Sequence, residues 1–357
     1  MAPACRHSFF SCPAGTSTMS FLFQCELMHQ PFGDPVLYVR FMGEKKALLF
    51  DLGDVSRLHS GKLLKVSHVF VTHTHIDHFI GFDHLLRLNL ARDKTLCIYG
   101  PKGIIKNVKG KLQGYTWNLV DEYPFIIEVI EIGSTKLTKA QFICKDKFKA
   151  GKVKESFFDA AIEVHPHYTI KALMTDHRIA SIAYSLEEGL HININKDRLL
   201  SLGLPVGKWL GELKDCIRDG RPETWPVHIQ EGGIDKELPL GELTREIVTI
   251  ARGQKIVYVA DCRGTEKNID RIIPFAAGAD VLFCEAAFLD KDREKAADRG
   301  HLTARQAGYI ARQAGVQALE VFHFSHRYEG CPELLYQEAE QEFTHPQGQE
   351  RSMRDGE

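Results

Sequence analysis

Residues 72–78 read Thr-His-Thr-His-Ile-Asp-His, so His73, His75, Asp77 and His78 set four metal-ligating side chains within six positions. They follow an apolar run over 66–71, which places them where a strand passes into a loop. There neighbouring side chains converge on a point, whereas a helix would splay them around its axis. Neutral imidazole suits Zn²⁺, and a carboxylate adds charge neutralisation. Three more His or Asp residues stand at strand termini of the same kind. His177 precedes the apolar run 179–186, Asp261 ends the run 255–260, and His323 follows Val321-Phe322. Any one alone reads as a loop residue; with 73–78 they make a candidate metal centre.

The elements that must position these groups alternate β-branched or aromatic runs with turn signals. The pattern predicts strands over 36–41, 46–50, 66–72, 95–99, 125–132, 136–144, 157–164 and 179–186, then 255–260, 281–284 and 318–322. Ala304, Ala307, Ile310, Ala311 and Ala314 recur at helical spacing within 301–314 and stop at Gly315. Strands interleaved with helices predict an α/β layered domain. Residues 189–245 interrupt the strand rhythm with helix-like stretches at 196–202 and 208–218 among several Gly and Pro, and read as an inserted arm. Residues 1–18 read as a loose extension, and Met19 offers a second plausible start.

Composition narrows the function classes. The 357 residues carry 45 basic and 47 acidic side chains, a net charge of −2 that argues against a polycationic coat for nucleic acid. The charge is uneven: residues 94–154 hold 12 Lys against 5 acidic residues, and residues 329–357 hold 8 acidic residues against 2 Arg and read as an acidic tail. The lysine-rich segment is either a solvated face or a phosphate-binding one. No run approaches the ~20 apolar residues of a membrane span. The nine cysteines are scattered without a C-x-x-C pair, which suits reduced thiols in a cytoplasmic protein.

The ordered motifs resemble the metallo-β-lactamase superfamily and, within it, the ribonuclease Z branch. His73, His75, Asp77 and His78 stand as its H-x-H-x-D-H signature. Tyr99-Gly100-Pro101, His177 through Ser181 with Tyr184 and Glu187, Val257 through Asp261, Glu285 through Phe288, His301 through Ala304 and His323 through Tyr328 follow in family order. The resemblance implies a four-layer αββα sandwich over 19–328 with a helical arm inserted at about 189–245. It implies two Zn²⁺ per chain, with Mn²⁺ as the alternative: one held by His73, His75 and His177, the other by Asp77, His78 and His323, with Asp261 bridging. A hydroxide shared by the two metals would attack the phosphodiester, Asp77 would accept a proton, and His301, oriented by Glu285, would serve the leaving oxygen. The implied substrate is precursor tRNA cut at its 3′ end by a homodimer. Two alternatives are a hydrolase of small phosphodiesters or other esters and a metal-bearing binding protein without turnover.

The sequence also departs from the family pattern. Phe32-Gly33-Asp34-Pro35 replaces a glycine-rich opening, and Asp51-Leu52-Gly53-Asp54-Val55-Ser56 stands where D-C-G-E-G-T is usual. Arg178 replaces a glycine, Cys262 a threonine, and Lys208 a proline in the arm segment 202–209. Lys196, Arg198, Lys208, Lys214, Arg218 and Arg221 could meet phosphates from the arm, diluted by neighbouring acids.

Overall fold

The computed structural model describes residues 22–345 apart from 29–30, 43–44, 159–160 and 166. The extension expected over 1–18 and the last part of the acidic segment, 346–357, lie outside the described residues.

Two sheets form the centre. The first runs in chain order: β1 (Phe23–Leu27), β2 (Leu37–Phe41), β3 (Ala47–Phe50), β4 (Val66–Phe70), β5 (Thr95–Pro101), β6 (Ile126–Ile132), β7 (Lys136–Ile143) and β8 (Lys154–Phe157). Within it β3, β4, β5 and β6 are parallel neighbours. Connections between them include α1 (Ser60–Leu63), α2 (Phe82–Asn89) and α3 (Ile104–Gln113). The second sheet begins with β9 (Ala161–His165), β10 (Tyr168–Asp176) and β11 (Ala180–Glu188), then continues through three later strands.

Between β11 and those strands lies an insertion. It comprises β12 (Leu190–Ile194), α4 (Lys196–Ser201), α5 (Trp209–Arg218), β13 (Pro226–Glu231), β14 (Ile234–Pro239), α6 (Leu240–Ile247) and β15 (Val248–Arg252). The chain then returns through β16 (Lys255–Val259), α7 (Glu266–Ala276), β17 (Val281–Glu285), α8 (Arg293–Arg299), α9 (Ala304–Ala314), β18 (Leu319–Phe322) and α10 (Glu333–Phe343). The order of the second sheet is β18-β17-β16-β11-β10-β9.

Three apolar clusters make four layers of this. Phe50, Phe70, Tyr184, Tyr258 and Phe322 pack between the two sheets. The outer face of the first sheet buries Leu85, Leu86, Ile104, Val108 and Leu112 of α2 and α3. The outer face of the second buries Ile269, Ile272, Ala307 and Ile310 of α7 and α9. The architecture is therefore αββα, since each sheet is apolar on both faces and each helix on one stripe.

The arm has a core of its own. Leu199, Leu204, Trp209, Leu213, Val227, Ile229 and Leu243 are buried together there. It joins the sandwich through the antiparallel β12–β15 pair, with Ile194 opposite Val248. No described helix is long and apolar enough to cross a membrane.

Several expectations need correction. The single strand expected over 157–164 is two: β8 closes the first sheet and β9 edges the second, so the chain changes sheets there. β10 was not expected, because Lys171, Ala172, Leu173 and Met174 are only half-buried and break the alternation. The arm, expected to be helical, also contains two β pairs. The helix expected from 301 starts at Ala304, capped by the Thr303 side chain, which leaves His301 on the preceding loop. The acidic segment from 329 is partly structured, since α10 buries Leu335 and Ala339 while Glu342 pairs with Arg305 and Arg312.

Candidate metal centre

The parallel strands of both sheets point their carboxyl ends at one place, the usual position for a ligand site in such sheets. Asp51 directly follows β3, Thr72-His73 stand just past β4, Asp261 two residues past β16 and His323 directly after β18, while β17 ends at Glu285; the three-residue turn between β10 and β11 supplies His177. Asp51, Asp261 and His323 have positive φ (58°, 28° and 61°), so each strand bends sharply as it delivers its side chain. Non-glycine residues persist in that region only where surrounding structure over-determines them.

All seven ligands expected from the sequence come together. His73, His75, His177 and Asp261 offer ligand atoms within 4.8 Å of one another, as do Asp77, His78 and His323. Asp261 links the groups: its carboxylate lies 3.6 Å from His73 Nε2, 3.4 Å from His177 Nε2, 3.4 Å from His78 Nε2 and 2.9 Å from His323 Nδ1. His73, His78 and Asp261 are buried while His75 is exposed, so the pocket is closed below and open at the 74–77 loop. His301 Nδ1 lies 2.8 Å from Glu285 Oε2, and Glu285 also accepts a hydrogen bond from Cys262 N at 2.6 Å.

The residues beneath this shell fix its tautomers. His177 Nδ1 is 2.7 Å from the Gly300 carbonyl and His78 Nδ1 is 2.8 Å from Asp51, so in each ring Nε2 turns inward. Asp51 also accepts from Thr72 N at 2.7 Å and from the Tyr258 hydroxyl, across the inter-sheet layer, at 3.0 Å. Sequence reasoning noted Asp51 only as part of an altered motif; its place directly after an apolar strand was the available signal. Gly53 permits the approach of the metal loop, since a Cβ there would meet the Asp77 carbonyl at 2.5 Å.

The electrostatics express a demand for positive charge. Burial and the neighbouring His78 push His73 down to about 2, so it is neutral. Burial opposes the charged forms of His78 and His323 as well, yet Asp261 with Asp51 lifts the first and Asp261 with Asp77 lifts the second to about 10. Burial likewise opposes the Asp261 carboxylate, but His323 and His78 hold it well below the usual range. His78 Nε2, Asp261 Oδ1 and His323 Nδ1 are buried, face one another and have no hydrogen-bond partner among the described residues. That donor set of nitrogen and oxygen fits divalent transition metals.

Layers and site together define a metallo-β-lactamase fold. The solved metallo-beta-lactamase fold protein YhfI from Bacillus subtilis superposes with a TM-score of 0.51 at 19% identity, covering 87% of this chain and 86% of that one. No family model matches the chain. Among curated relatives, Ribonuclease Z of Haloferax volcanii is 30% identical over 301 residues, 82% of this chain and 80% of that protein. Ribonuclease Z of Gemmatimonas aurantiaca is 30% identical over 308 residues, 84% and 83% respectively. The chain belongs to the ribonuclease Z family.

Proposed function

We propose that the protein is a metal-dependent phosphodiesterase that hydrolyses precursor tRNA at its 3′ end. The observation that carries this reading is the convergence of seven His and Asp side chains beside a His301–Glu285 pair, in a chain of the ribonuclease Z family. Two Zn²⁺, or Mn²⁺, would be held by His73, His75 and His177 and by Asp77, His78 and His323, with Asp261 between them. When bound, such cations neutralise the scissile phosphate and supply a water acidic enough to attack at neutral pH.

The chain's own groups then act as follows. Asp77 is the most solvent-exposed carboxylate of the pocket, with 35% of its side chain accessible, and is placed to accept a proton from the attacking water. Burial disfavours the charged form of His301, but Glu285 beside it prevails and raises its pKa, so it holds a proton for the leaving ribose oxygen. Glu285 fixes the ring through Nδ1, which leaves Nε2 for the substrate.

A hydrolase of small phosphodiesters is the second reading. It is favoured by the pairing of the arm's arginines with the arm's own carboxylates: Arg198 with Glu246, Arg218 with Asp215 and Arg245 with Glu223. A homodimer is supported by the family resemblance, and a cytoplasmic location by the seven cysteines that are free among the described residues.

The test is cleavage of a precursor tRNA by purified protein. Product ending at the mature 3′ region, lost on chelation and restored by Zn²⁺ or Mn²⁺, is expected. Hydrolysis of a small phosphodiester without any cleavage of precursor tRNA would establish the second reading instead.

A further inference from the structure

The lysine-rich segment noted in the sequence is concentrated, in part, on one helix face beside the pocket. α3 starts at the carboxyl end of β5, and its Asn107 Nδ2 donates to Thr74 Oγ1 at 2.6 Å, between His73 and His75 of the metal loop. The buried side of α3 is Ile104, Val108 and Leu112. Away from it stand Lys106 and Lys109 of the helix, with Lys102 just before the helix start, across Gly103 at φ 103°, all exposed. None of the three has an acidic partner among the described residues, whereas Lys111, one turn round the helix, is bound to Asp83 at 2.9 Å. Just past the helix end, Tyr115 is 47% exposed.

We infer that this α3 face is a docking track for an unpaired RNA strand running from the scissile phosphate, a deepening that rests on the ribonuclease reading above. Helical residues three apart, as Lys106 and Lys109 are, stand about 5–6 Å from one another at Cβ, and Lys102 continues the row from the helix start, which gives one row of cations along one phosphate strand. A duplex would present two strands, and α2 offers Arg87 as its one exposed Lys or Arg, not a second row parallel to the first. A cationic row followed by an exposed aromatic ring is the composition of sequence-tolerant single-strand binding, in which charge follows the backbone and the ring stacks on a base. Free lysines need no carboxylate displaced before they meet phosphate, unlike the paired arginines of the arm.

The test uses the full-length, metal-loaded protein carrying Lys102→Ala, Lys106→Ala and Lys109→Ala together. A charge-matched control carries Lys45→Ala, Lys46→Ala and Lys65→Ala, exposed positions before β3 and β4, at the ends of those strands away from the pocket. Both sets are exposed, and unchanged melting temperatures verify folding. For a single-stranded oligoribonucleotide, the α3 variant is expected to bind at least tenfold more weakly at low salt. Its slope of log K against log salt should shrink by about 2, near 0.7 for each lost phosphate contact on a single strand. The control should change neither, and turnover of bis(p-nitrophenyl) phosphate should stay at the wild-type rate in both. Equal losses in variant and control, an unchanged salt slope, or a loss confined to a duplex hairpin would each overturn the inference. Because binding to the oligonucleotide is read directly, failure of the wild-type protein to cleave precursor tRNA would defeat the ribonuclease reading separately.

Discussion

In the candidate metal pocket, Asp51, Asp261 and His323 sit at positive φ just past the ends of buried strands, and His78 and His177 are each held through Nδ1. In the arm, by contrast, Leu199, Trp209, Leu213, Ile229 and Leu243 close a small core on themselves, and the arginines face carboxylates a few ångströms away. The pocket spends backbone strain and burial on one fixed geometry. The arm joins the sandwich through the β12–β15 pair, and its buried residues form a cluster separate from those around the pocket. On the proposed function, chemistry would be carried by the pocket and part of the substrate choice by the arm, and the following changes break or sharpen that separation.

The largest effect is expected from Asp261→Ala or His73→Ala, which remove groups central to the pocket: activity toward both RNA and a small phosphodiester should fall by ~10³-fold or more, as when one member of a catalytic unit is lost. Retention of either activity, measured with metal content checked, would detach the chemistry from this pocket.

His301→Ala separates substrates. A ribose oxygen needs a proton to leave, whereas a nitrophenolate does not, so general-acid loss should cost about 10²-fold on precursor tRNA and much less on bis(p-nitrophenyl) phosphate. Steady-state rates on both substrates read this, and equal losses would assign His301 another task.

Asp51→Ala should weaken metal affinity by about 10–100-fold through the loss of His78 orientation. It also strips Thr72 N and the Tyr258 hydroxyl of their acceptor, at roughly 1–3 kcal/mol for each buried group left unsatisfied. Metal titration and thermal melting would show both effects.

The smallest effect concerns protons. With its pKa raised to about 10, His323 is protonated at neutral pH in the metal-free pocket. Metal binding requires the neutral imidazole, so loading should release protons, and affinity should rise with pH as that group is approached from below. Calorimetry in two buffers of different ionisation enthalpy measures the release, and none at pH 7 would contradict the charge state of the pocket.

The chemistry was the more legible part of the sequence. The 73–78 loop compresses four candidate ligands into six positions, and Asp261 and His323 close apolar runs, so their strand ends could be located without knowing the sheets. What stayed hidden depends on distant partners. Which sheet receives β8 and which β9 is decided by pairing with β7 and β10, not by the local residues 154–165. β10 lacks alternation because much of it is half-buried. Asp51 shows its purpose only once Tyr258, 207 residues away in the chain, is beside it. The strands of the arm were masked by Gly and Pro that terminate its short elements.

The separation of chemistry from substrate choice is tested most directly by removing the arm. Ile194 and Val248 are paired across β12 and β15, so an Asn-Gly turn can replace 195–247 while keeping the strand pair. Cleavage of precursor tRNA and of bis(p-nitrophenyl) phosphate would then be measured on intact and arm-deleted protein under the same metal conditions. The account predicts that precursor tRNA cleavage falls by at least about 10²-fold, because binding energy remote from the metals is lost, while hydrolysis of the small phosphodiester continues near its original rate. Loss of both activities in a folded, metal-loaded deletion protein, or retention of precursor tRNA cleavage, would contradict it.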